Sequence, residues 1–123
     1  MTTPDELVAM ELARLSDNFV RQLPEQLRAV ENDVAAWLDA PRDAERYETV
    51  SHSVHQLKGS GSTFGCPGIS RAARTLERHI GACRSDIDAG RPLATAAVES
   101  AVEQLQNEAT RVRTQSRDPE AGE

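Results

Sequence analysis

Apolar residues recur at steps of three and four along nearly the whole chain, and nowhere do they alternate with polar ones. That period is α-helical, and a chain carrying it throughout has no strands from which to build a sheet. Val8, Leu12, Leu15 and Phe19 make a first frame. Val20, Leu23, Leu27, Val30, Val34 and Trp37 make a second. Pro24 lies near their junction, where it either kinks one long helix or opens a new one. Tyr47, Val50, Val54, Leu57, Gly61 and Phe64 form a third frame. Ile69, Ala73, Leu76, Ile80, Cys83 and Ile87 form a fourth, and Val98, Val102, Leu105, Ala109 and Val112 a fifth. Breaks fall at Ala40-Pro41, at Gly65-Cys66-Pro67-Gly68 and at Asp88 to Pro92. Such short connections make successive helices antiparallel neighbours. The predicted architecture is all-α: an antiparallel, up-and-down four-helix bundle with an additional N-terminal helical segment, spanning residues 1–114. The polar stretch 115–123 lacks periodicity and is expected to be a flexible tail.

Composition narrows the function. With 123 residues there is room for one core, and aromatic residues are only 3% of the chain, so that core is aliphatic. A deep, aromatic-lined catalytic pocket is not expected. A formal net charge of -6 argues against a nucleic-acid grip, which needs a basic face. No apolar run is long enough to cross a membrane, and the polar, acidic start does not resemble a leader, so a cytoplasmic protein is expected. A monomer is expected as well, because the apolar stripes match an intramolecular bundle and leave no large patch. Cys66 and Cys83 would lie roughly 25 Å apart along the fourth frame, at ~1.5 Å per residue, too far for a disulfide. Both are expected to be free thiols, with Cys83 filling space in the core.

The third frame ends unusually, as Ser51-His52-Ser53-Val54-His55-Gln56-Leu57-Lys58-Gly59-Ser60-Gly61-Ser62-Thr63-Phe64-Gly65. Each interior glycine costs a helix about 1 kcal/mol relative to alanine, so two of them suggest that something else requires small side chains. At ~100° per residue Val50, Val54, Leu57, Gly61 and Phe64 face the core, and His55 points to solvent. Ser51 lies one turn before His55, Gly59 one turn after and Ser62 two turns after, so the imidazole stands on a cleared strip. An exposed imidazole offers a nucleophilic ring nitrogen near neutral pH. Lys58, three residues on, can reach the same space and attract a phosphoryl group.

His55-Gln56-Leu57-Lys58-Gly59-Ser60, closed by Phe64-Gly65, resembles the signature of histidine-containing phosphotransfer domains. The Lys58-Gly59-Ser60…Thr63-Phe64-Gly65 wording is also similar to the phosphoacceptor domain of chemotaxis kinases, and Phe19…Leu23-Pro24-Glu25 is similar to the family's opening helices. The resemblance covers nearly the whole chain, because the family fold is also a four-helix bundle with the histidine on a middle helix. The second glycine, Gly61, departs from the usual pattern. The resemblance implies that His55 is the phosphoacceptor, Lys58 its electrostatic neighbour, and Gly59 the gap that admits the partner. Ser51, His52, Gln56 and Ser62 then border the docked partner. It further implies phosphoryl transfer with receiver domains of response regulators and a sensor histidine kinase, with no cofactor of its own and Mg²⁺ supplied by the receiver. A phosphohistidine carrier of this kind has no ATP site. Accordingly, the glycine-rich segment lacks the Gly-Lys-Ser/Thr ending of a P-loop, and Phe64 stands where a dinucleotide fingerprint needs glycine. The alternative is a helical scaffold or inhibitor that binds signalling proteins without being phosphorylated.

The remaining candidates have simpler readings. His52 and His55 are three apart and can share a metal on a helix, but no third ligand is evident, so no metal is expected. His79 sits beside the fourth core frame and is read as having no role. Arg71, Arg74 and Arg78 share the outer face of the fourth frame. They form either a docking stripe for an acidic partner or a solvated face, the latter being the simpler reading. Trp37 and Tyr47 are read as core.

Overall fold

In the computed structural model, which describes residues 2–121 and side chains through residue 115, four helices account for the fold. They are α1 (Pro4–Asp39), α2 (Ala44–Thr63), α3 (Pro67–Asp88) and α4 (Ala96–Ala121). Helix α1 packs on α2 and α4, and α3 packs on the same two; the diagonal pairs do not meet closely among the described residues. This is the square of an up-and-down bundle, and no strand occurs among the described residues.

The helix ends follow local chemistry. Thr3 caps α1 by accepting from the Glu6 amide, with Pro4 in the first turn. The Asp43 carboxylate accepts from the Glu45 and Arg46 amides at the start of α2. Gly65, at φ +76°, turns the chain after α2, and Pro67 opens α3. The core joins Phe19, Leu23, Leu27, Val30, Val34 and Trp37 of α1 to the inward stripes of the other three helices. Cys66 and Cys83 are both buried free thiols, and burial pushes both pKa values up; Cys83 fills space in the core as expected.

The additional N-terminal segment is helical and continuous with the first bundle helix: α1 runs unbroken through Pro24 for 36 residues. One expectation changes. The first frame is not core over most of its length. Phe19 is buried and Leu15 half-buried, whereas Leu7, Val8, Met10 and Leu12 are 56%, 59%, 63% and 51% exposed. Among the described residues no other helix covers them. The premise that no apolar patch remains therefore fails at this end of α1. At the other terminus, α4 continues to Ala121, through most of the stretch 115–123 expected to be a flexible tail; residues 122–123 and the side chains from 116 on lie outside the described residues.

Candidate functional site

Helix α2 carries His55 outward because Val50, Val54, Leu57 and Gly61 turn its opposite face into the core. The His55 side chain is 65% exposed. Gly59, one turn on, is exposed, and a Cβ added there would meet nothing within 4 Å. Gly61 serves a different purpose. A Cβ there would lie 3.0 Å from the Ser70 amide nitrogen and 3.2 Å from the Cys66 carbonyl oxygen, so Gly61 lets the start of α3 close against α2. One glycine clears the surface and the other permits the packing.

That close packing brings in a residue the sequence reading missed. Glu77 of α3 spans both candidate site residues. Its Oε2 lies 3.0 Å from His55 Nδ1, and its Oε1 accepts from Lys58 Nζ at 2.8 Å. The Lys58 ammonium, and after it the His55 ring, holds the Glu77 carboxyl below its usual pKa, against the partial burial that opposes ionisation. An ionised carboxylate only accepts hydrogen bonds, so His55 Nδ1 carries the proton in this contact. The neutral ring then has its lone pair on Nε2, on an exposed imidazole. The arrangement orients a nucleophile and provides a counter-charge for the imidazolium formed when Nε2 gains a substituent.

Lys58 is only 24% exposed, and its ammonium is engaged by Glu77 instead of standing free in solvent. Gln56 and Gly59 line a groove of about 730 Å³ beside His55, whose far wall is Gln26, Ala29 and Val30 of α1. Ser51, His52 and Ser62 do not line it. His52 faces a separate surface hollow with Asp33 and Glu48, Ser51 is half-buried, and Ser62 is exposed beyond Gly59. Glu77 lies 22 residues from His55, so only the register of α3 against α2 pairs them. Its one sequence signal is an acidic residue among Arg71, Arg74 and Arg78.

Among the described residues no helix is long and apolar enough to cross a membrane. Comparison with known proteins gives a family. A segment of the chain is 27% identical over 77 residues to the chemotaxis protein CheA of Rhizobium meliloti (strain 1021). The match covers 63% of this chain and 10% of that protein, so the chain spans only a small part of its relative's length. No solved structure matches significantly. The family model described as Hpt domain matches residues 14–115, which takes in His55, Lys58, Gly59 and Glu77. By that match, over a four-helix bundle, the chain belongs to the Hpt domain family and has a general role in phosphotransfer signalling.

Proposed function

We propose that the chain is a phosphohistidine carrier in a phosphorelay, with His55 as the phosphoacceptor. The observation supporting this reading is the Glu77 contact to Nδ1, which leaves Nε2 as the nucleophile on an otherwise unobstructed strip. Nε2 donates its lone pair to phosphorus. The bond between phosphorus and the aspartyl oxygen of a phospho-receiver breaks, and the carboxylate leaves. The Nδ1 proton stays between His55 and Glu77, which offsets the ring's new positive charge. Transfer to a second receiver is the reverse reaction. Where a histidine kinase is the donor, the bond broken is that between phosphorus and ADP, or between phosphorus and the kinase's own histidine, and ADP or that imidazole leaves. Lys58 holds Glu77 ionised and carries positive charge near the phosphoryl oxygens. The Mg²⁺ that shields phosphoryl charge is supplied by the partner. The protein so read is a cytoplasmic carrier without ATP chemistry of its own, and its partners are receiver domains and a sensor kinase.

Incubation with a phosphorylated receiver domain tests the reading. The expected product carries one label on His55 that is lost in acid and kept in base, as for a phosphoramidate. A folded chain that binds receivers yet takes no label would instead be the non-phosphorylated scaffold.

A further inference from the structure

Helix α3 carries three exposed arginines, Arg71, Arg74 and Arg78, on one face. None makes an ion pair or a side-chain hydrogen bond among the described residues. Arg84, Arg91 and Arg111, by contrast, each have a carboxylate partner. The acids nearest this row are already engaged. Glu77 holds His55 and Lys58, and Glu108 on α4 accepts from Arg111 at 2.7 Å. A row of unneutralised guanidinium groups is unexpected on a chain of net charge -6.

The helix register places this row at the axial level of the phosphoacceptor, on the outer face of α3, with Arg71 toward α4. Helices α2 and α3 are antiparallel, with His55 beside Glu77 and Gly61 against Ser70. Arg78 follows Glu77 directly and is level with His55. Arg74, one turn before Glu77, is level with Lys58, and Arg71 is nearly level with Gly61. The three Cα positions span about 10 Å along the α3 axis. His55 thus has two dissimilar flanks: the groove against α1, and this basic row on α3.

We propose that Arg71, Arg74 and Arg78 form the electrostatic part of a docking surface for the acidic, Mg²⁺-binding face of a receiver domain; this rests on His55 being the phosphoacceptor. The chemistry selects that partner. A protein that moves a phosphoryl group between an aspartate and His55 with Mg²⁺ must gather carboxylates around its own reacting centre. That acidic rim approaches His55 during transfer, and guanidinium groups on the neighbouring helix at the height of the histidine attract and orient it. The row acts on encounter and leaves the chemistry to His55, Lys58 and Glu77.

The test profiles phosphotransfer against purified receiver domains of the source organism, each loaded with acetyl phosphate, over a range of ionic strength. The variant is the triple Arg71→Gln, Arg74→Gln, Arg78→Gln, beside a triple with lysine at the same positions. The glutamine triple should lose about tenfold in the second-order transfer rate at low salt, and its salt dependence should flatten. The lysine triple should keep both. Labelling by phosphoramidate, a small donor that needs no docking, should proceed at the wild-type rate in all three proteins. A glutamine triple with the wild-type rate and salt slope overturns the proposal, as does a lysine triple as slow as the glutamine triple. A wild-type chain labelled by phosphoramidate but by no receiver overturns the docking proposal alone. A chain labelled by neither donor overturns the carrier reading and the docking proposal with it.

Discussion

Glu77 reaches across from α3 to place its Oε2 3.0 Å from Nδ1 of His55, while its other oxygen holds Lys58 at 2.8 Å. One carboxylate therefore sets both the tautomer of the histidine and the position of the lysine. Replacing it should separate catalysis from folding. Glu77→Gln keeps the shape but removes the counter-charge, and should slow phosphoramidate labelling of His55 by about tenfold or more. Circular dichroism should stay helical. A glutamine variant labelled at the wild-type rate would leave Glu77 without a positioning role.

The same carboxylate makes stability depend on acid. Its folded pKa lies below the reference value of 4.5, so its pairing stabilises the fold above that value. The contribution is lost as pH falls through the lowered folded pKa. Urea unfolding of wild type and Glu77→Gln should therefore show a gap near pH 7 that narrows as the pH falls below 4.5 and closes once the paired carboxylate takes up its proton. The gap should be small, because Glu77 is a third exposed and solvent screens the pair. A gap that widened on acidification would contradict the pairing.

The two histidines of α2 are both exposed but differ in surroundings. His55→Gln should abolish phosphorylation while the chain stays folded, since an outward side chain contributes little packing. His52→Gln should still accept, because neither Glu77 nor Lys58 bonds to His52. Peptide mapping of the label decides this, and a label on His52 or His79 would end the assignment.

Gly59 and Gly61 should respond oppositely to one methyl group. Gly59→Ala meets nothing and should stabilise α2 by up to about 1 kcal/mol. Gly61→Ala drives a Cβ toward the Ser70 and Cys66 backbone and should destabilise the bundle, by about 1–3 kcal/mol if α3 must shift. Gly59→Gln should fold but transfer slowly to receivers, its side chain covering the approach to His55. Thermal melts and transfer rates separate the two effects.

Along α1 the cost of truncation should change abruptly. Leu23→Ala removes a fully buried side chain and should cost about 2–5 kcal/mol. Val8→Ala, on the same helix but more than half exposed, should stay within about 0.5 kcal/mol. Equal losses at the two positions would mean that the N-terminal turns are covered in solution.

The sequence by itself determined the four helices, their breaks, and the outward placement of His55, because these depend on local periodicity, caps and glycine. A residue's face follows from its neighbours three and four positions away, and Leu57 and Gly61 oriented His55 without any knowledge of α3. Only the tertiary structure decided what touches that histidine. Glu77 is on a different helix, and one turn of slippage between α2 and α3 would remove it; the register is set by Gly61 against Ser70, a close approach with no sequence period. The same holds for α1. Val8 and Leu12 follow the pattern that is buried at Leu23 and Leu27, yet burial requires a facing helix, and among the described residues none covers them. Periodicity records which side of a helix is apolar; the lengths and register of its neighbours decide how much of that side is covered.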